Sequence, residues 1–410
     1  MTQSTASLAA ARQRLDRLDG FLREDPSNNA LLIDAFETAL SCGEWERARF
    51  HLEHGQTLDA EPLAWRLREG DFWLAQQRYD EAAGVLEALT NTPQPPVGFA
   101  EVLLHNLAFI DLRRGRYQDC IARLAPTVEV GTAASEGVGT QPVVATRALQ
   151  QLWLRALHHD GQLTRAMTWA KEAEASRQLD VSAAGVASLI AVDAPELAAA
   201  QRWSPASPGG STPDEPPVEA LVTQASLALA ARDAVRAAAL ADAALQRHPD
   251  DGRAWSTRGF AALLAGDLAA ANAAFVRALS AMSAHIGTWH GLAWTQILQG
   301  NLPAARTSFE AALALDRNFG ESHGGLAVVL AMQQLRQDAE AHAALAQRLD
   351  PGNLSGRYAI ALLSGEVKDA NDLQRLARRL LGGRAAPLGG DMADLLPPSL
   401  EPELKGEEGA

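Results

Sequence analysis

Three histidines, His285, His290 and His323, lie close together in sequence or in repeat register, and three imidazoles can hold a zinc ion. Their settings argue against that chemistry. His285 sits in a loop, His323 takes a place that tryptophan fills elsewhere, and no HExxH spacing or acidic partner at helical spacing accompanies them. His158 and His159 are adjacent on a helix, so they point about 100° apart and cannot chelate easily. There is no GxSxG elbow for a nucleophilic serine, and the glycine-rich stretches lack the GKS/T of a phosphate-binding loop. Cys42 and Cys120 form no CxxC, which disfavours a zinc thiolate site or a disulfide framework. The chain therefore reads as a non-enzyme without metal or cofactor. What remains is TWHGLAWTQILQG, residues 288–300, whose His290 and Trp294 suit recognition better than bond breaking.

The elements that position these residues repeat. Trp255 and Trp289 are 34 residues apart, as are Gly266 and Gly300, Ala271 and Ala305, Phe275 and Phe309, and Ala278 and Ala312. Another step of 34 reaches His323, Ala339 and Ala346, and three steps separate Pro249 from Pro351. Four units begin at 218, 252, 286 and 320 with no insertion. Each carries a bulky residue early in its first helix and a small one four later (Gly259, Ala293, Ala327). A glycine near the turn suits the left-handed helix end. Phe275 and Phe309 are expected to fill the grooves between neighbours, and proline at 249 and 351 to stop second helices. The pattern resembles the tetratricopeptide repeat, a helix–turn–helix unit. That resemblance implies an all-α helical-repeat solenoid.

The amino-terminal half keeps the period less cleanly, with units from 29, 63, 101 and 147, a PPVGF insertion, and the loop GTAASEGVGTQP. Cys120 occupies a small packing position there. A degenerate unit runs to Trp203, and WSPASPGGSTPDEPP reads as a hinge between two superhelical segments. The expected organisation is a helix over 1–28, an irregular array over 29–202, a linker over 203–217, a second array with a helical cap over 218–384, and a disordered acidic tail over 385–410. The cap exposes Arg375, Arg378 and Arg379. Within the tail, DMADLLPPSLEPEL reads as solvated chain in preference to a short linear motif.

The resemblance also implies that first helices line a concave wall, with ligand contacts at unit positions 2, 5, 9, 12 and 13. In the carboxy-terminal array this selects Arg253, Phe260, Leu263 and Leu264, then His290, Trp294, Ile297 and Leu298, then Glu321, Gly324, Val328 and Met332. That wall is apolar and aromatic, rimmed by Arg253 and Glu321. In the amino-terminal array the inner positions are polar: Glu37, Asp71, His105, Arg113, Arg155, His158 and His159. An apolar concave surface marks a binding site for an amphipathic helix or extended peptide, with Phe260 and Trp294 as anchors. The competing reading buries those side chains against neighbouring helices. Gly287, Gly291, Gly324 and Gly325 lie in first helices, where each costs roughly 0.8–1 kcal/mol against alanine. Close packing explains Gly287 as well as ligand access does, whereas access is the expectation for 324–325. The Lys and Asn of family members that clamp a terminal carboxylate are missing. Their places hold Val222, Ser256, His290 and Gly324, then Ser226, Phe260, Trp294 and Val328.

Composition bounds the partner. The net charge is −14 with no basic cluster, which disfavours nucleic acid and anionic membranes. Lysine occurs only at 171, 368 and 405, a skew typical of GC-rich bacterial genomes. No secretory signal and no stretch of about 18 uncharged apolar residues is found, so a soluble cytoplasmic protein is expected. The combined reading is a scaffold or adaptor, such as a chaperone or assembly factor of a bacterial secretion system, that holds a partner protein or peptide. The alternative is a sensor whose 203–217 hinge changes angle when ligand binds near His290 and Trp294.

Overall fold

The computed structural model describes residues 5–58, 62–93, 95–129, 147–204 and 216–384, with 391 and 393. The GTAASEGVGTQP loop, most of the 203–217 linker that the sensing alternative needs, and almost all of the acidic tail lie outside them. Among the described residues the regular elements are all helices. The chain divides into two compact units, 1–195 and 196–410. The first holds α1 (Thr5–Glu24), α2 (Asn29–Cys42), α3 (Trp45–Thr57), α4 (Pro62–Ala75), α5 (Tyr79–Glu87), α6 (Phe99–Arg113), α7 (Tyr117–Val128), α8 (Arg147–His159), α9 (Leu163–Ala175) and α10 (Val181–Asp193). The second holds α11 (Leu197–Trp203), α12 (Val218–Ala230), α13 (Ala234–Arg247), α14 (Gly252–Leu264), α15 (Leu268–Ala281), α16 (Ile286–Leu298), α17 (Leu302–Leu315), α18 (Gly320–Met332), α19 (Arg336–Leu349), α20 (Leu354–Ser364) and α21 (Ala370–Leu381). The division falls ahead of the expected linker. α11 packs on α12, and Gln224 Nε2 donates to the Ser204 hydroxyl at 3.1 Å.

One backbone feature fixes the register of all eight units. Their fifteenth residue is left-handed: Gly43, Gly115, Gly161, Gly266 and Gly300 have φ of 71–80°, and Gln77, Arg232 and Gln334 have φ of 59–62°. This residue ends the first helix and turns the chain into the second. Side-chain caps start the second helices: Asp233, Asp267 and Asn301 accept from the amides of Arg236, Ala270 and Ala304 at 2.9, 3.0 and 3.3 Å.

The fourth residue performs a shared task in the units that begin at 252, 286 and 320 and in the helix that begins at 354. Trp255 Nε1 donates to the Pro249 carbonyl at 2.7 Å, and Trp289 Nε1 to that of Ser283 at 2.8 Å. His323 Nε2 reaches the Arg317 carbonyl at 2.9 Å, and Arg357 Nη2 that of Pro351 at 3.0 Å. Each N–H closes the loop six residues upstream, where a helix has ended and its carbonyls lack partners. His323 replaces the tryptophan both as a largely buried ring and as a donor.

Phe275 and Phe309 are fully buried. Each ring wedges between the first helix of its own unit and that of the next. A Cβ on Gly259 would approach Phe275 to 2.7 Å, and one on Gly291 would approach it to 2.6 Å and Phe260 to 3.0 Å. Gly325 is the equivalent notch for Phe309. The corresponding residues of the outer units are Ala241 and Ala343, both buried. Gly291→Ala is expected to destabilise the second array by about 1–3 kcal/mol, because a methyl group must displace a packed ring. A denaturation midpoint unchanged by this substitution would remove the wedge.

Candidate functional site

The first helices α14, α16 and α18 carry the residues selected from the sequence, and packing divides them into three groups.

The first group is filled by neighbours. Ile297 and Val328 are buried, the latter completely, in the cluster that includes Phe309 and Leu330. Phe260 stands edge-on to Phe275 at 4.9 Å, with Leu263 packed beside it. His290 is half-buried: its Nε2 lies 2.7 Å from Ser322 Oγ, and its ring is 5.6 Å from those of Phe309 and Phe319. Burial first, and then the neighbouring His285, push the His290 imidazole down to about 4. It is therefore neutral at physiological pH and paired with a serine. Glu321 accepts hydrogen bonds from Asn353 Nδ2 (2.9 Å) and Ser355 Oγ. Burial raises its pKa, and these two donors offset part of the rise. The expected rim acid thus joins α18 to α20.

The glycine pair is a correction. Sequence reasoning gave Gly324 and Gly325 to ligand access. A Cβ on Gly324 would instead lie 2.9 Å from Ser355 Cβ and 2.9 Å from the Gly356 amide, and one on Gly325 would overlap the Phe309 ring. Both admit the neighbouring chain. Gly287 is exposed, and a Cβ there would touch only His285.

The second group stays open at the ends of first helices. Leu298 is 61% and Met332 41% exposed, while Leu264 and Arg253 are partly so.

Trp294 stands apart. Half-buried, it meets Phe309 edge-on at 6.0 Å. It also lines an apolar cavity of about 210 Å³ with Leu354, Ser355 and Tyr358 of α20 and Leu373, Leu376, Ala377, Leu380 and Leu381 of α21. The α20 and α21 residues were not singled out from the sequence. Ser355 and Tyr358 hold unit positions 2 and 5 of a further repeat beginning at 354, and that register was the available signal.

The polar residues of the amino-terminal array are spent largely on rungs between adjacent units. Arg68 reaches Glu37 at 3.5 Å, Asn106 donates to Asp71 at 3.0 Å and contacts His105, Arg113 donates to Tyr79 at 3.0 Å, and His158 meets Asp193 at 2.7 Å. His159 stacks on Tyr117, and Arg155 is also engaged. Burial raises the Asp71 carboxyl, partly offset by Asn106. Sequence reasoning missed buried Asp111, which accepts from Arg116 (2.5 Å) and Arg123 (2.9 Å). Cys120 is fully buried, and burial, with Asp111 second, pushes its thiol up to about 12. It is a packing residue with no thiolate at neutral pH. A cavity of about 490 Å³ between α1 and α3 is lined by Asp19, Phe50, His51 and His54. Arg47, also in its lining, pairs with Asp16 and Asp19 at 3.0 and 2.5 Å.

The tetratricopeptide repeat family model matches residues 222–284 and 291–353. These are tetratricopeptide repeats. No curated protein matches the sequence. Among solved structures, the human IFIT1 dimer with PPP-AAAA is similar over 93% of this chain and 88% of its own, at 13% identity and TM-score 0.52. A monomeric IFIT1 mutant with m7Gppp-AAAA is similar over 86% and 83%, at 13% identity and TM-score 0.53. At this identity the likeness shows the helical-repeat fold alone. YrrB, a tetratricopeptide-repeat protein with an unusual peptide-binding site, is matched over 52% of this chain and 90% of its own, at 13% identity and TM-score 0.32. An O-GlcNAc transferase mutant from Thermobaculum terrenum is 22% identical over 32% of this chain (TM-score 0.31), and the match spans only 26% of the transferase. Among the described residues, no helix is long and apolar enough to cross a membrane.

Proposed function

We propose that the protein is a non-enzymatic cytoplasmic scaffold or adaptor, of the chaperone or assembly-factor kind, that holds a partner helix or apolar peptide on the concave side of its carboxy-terminal array. The observation that carries this reading is the apolar cavity at Trp294, at unit position 9 and bounded by Leu354 and Tyr358. A half-buried indole beside such a cavity offers a large apolar area at little entropic cost, the usual chemistry of a binding anchor. The site proposed is narrower than the sequence suggested: Trp294 and Tyr358 line it and Val328 packs in the same cluster as Trp294, while Phe260 and His290 are taken up by neighbours of their own. The net charge of −14 favours a protein partner over a phosphate backbone.

Affinity capture from native host extract, read by mass spectrometry, tests the reading with wild type beside a Trp294→Ala variant of unchanged helicity. A protein retained by wild type and lost by the variant is expected. The same proteins retained by both would move the site away from Trp294.

A further inference from the structure

The last two helices break the pattern of the array. α20 begins at 354, 34 residues after α18, and packs on α18 and α19 as the first helix of a further unit. α21 should then pack along α20, as α13, α15, α17 and α19 pack along their own first helices. It does not. It turns instead after Gly365 (φ 72°) and lines the Trp294 cavity, opposite the residues at inner positions of α16 and α20.

The sequence of α21 suits that place. Leu373, Leu376, Ala377, Leu380 and Leu381 follow the spacing i, i+3, i+4, i+7, i+8 of a single helical face, and all five line the cavity. The opposite face carries Arg375 and Arg379, which pair with Asp372 and Glu366. Seating is incomplete: Leu376 is buried, but Leu373 remains 39% exposed, and a cavity persists between the helix and Trp294. Just beyond the helix, Arg384 Nη2 donates to the Gly352 carbonyl at 3.0 Å. A helix whose apolar stripe is incompletely buried gives up less on release than one fully seated.

We propose that α21 is a removable occupant of the Trp294 site, and that the partner is an amphipathic helix with the same leucine pattern, which takes its place. This rests on the reading of the Trp294 site as a partner site. The chain thus supplies both lock and stand-in. In the closed form α21 stands over Trp294 and Tyr358, which remain half-buried. A competing helix binds only to the fraction of molecules in which α21 has swung out, so its apparent affinity falls by that fraction.

The test uses a fluorescent synthetic peptide of residues 366–384 and the full-length chain. Leu376→Asp/Leu380→Asp should release α21 and bind the peptide at least about tenfold more tightly than wild type. Leu376→Met/Leu380→Met should stay closed like wild type, and adding Trp294→Ala to the released chain should abolish binding. Hydrogen exchange on the unaltered protein gives a second measurement that needs no variant to fold. Saturating peptide should raise exchange across 370–381. Equal affinity for wild-type and released chains, or undiminished protection of 370–381 with peptide bound, overturns the closure while leaving a helix site in place. No binding to either chain removes the helix site and the closure with it.

Discussion

Replacing Arg116 and Arg123 together by leucine is expected to cost the amino-terminal unit about 3–5 kcal/mol, because Asp111 is then left buried without a cation. Asp111 is 1% exposed on α6, and both guanidiniums reach it from α7, Arg116 at the start of the helix and Arg123 two turns on. The arginines are themselves 42% and 31% exposed, so losing the carboxylate instead is the milder change: freed guanidiniums turn to water. Asp111→Asn introduced into the double variant should therefore recover much of the loss. Guanidinium denaturation of the four chains forms the required cycle. Independent, additive effects of the two sites would show that the pairs carry no such weight.

Acid should weaken the second array through His290. Its imidazole titrates near 6.5 when unfolded and is pushed down to about 4 when folded, by burial first and His285 second. A lowered folded value means that the unfolded chain binds the proton more readily. The stabilisation is then fully present above pH 6.5 and is lost as pH falls toward 4, by up to about 3 kcal/mol. His290→Gln keeps a group able to bond Ser322 and removes the titration. The stability difference between pH 7 and pH 4.5 should accordingly be smaller in the variant than in wild type. Equal pH dependence of the two would place the acid sensitivity elsewhere, for example at His342 or His51, which burial also lowers.

Periodicity made the repeat legible because stacking imposes the same demand on each unit. The left-handed residue at position 15, the buried phenylalanines and the loop-closing donor at position 4 all recur at a spacing of 34. Position within a unit also identified which residues belong to first helices. It did not reveal how closely the next unit approaches. Gly324 lies at an inner position by register, but Asn353, Ser355 and Gly356 at the start of α20 fill the space over it. His290 is covered in the same way by Ser322 and Phe319. The Asp111 cluster was invisible for a different reason: it joins one helix pair through two arginines and has no counterpart at the repeat spacing. The role of α21 was hidden too, since its leucine stripe fits an ordinary second helix as well as one turned into the groove.

The placement of aromatic wedges has a mechanical consequence. Phe275 and Phe309 lock the junctions between the units at 252, 286 and 320, whereas Ala241 and Ala343 stand at the equivalent points of the outer units. A ring holds two first helices further apart than a methyl group does: α18 and α20 meet along far more of their length than α14 and α16 or α16 and α18. In an array where each unit touches only its neighbours, spacing is set junction by junction. The aromatic wedges therefore act as spacers, and the second array is most tightly drawn together at its carboxy-terminal junction, where Glu321 and Gly324 meet the start of α20.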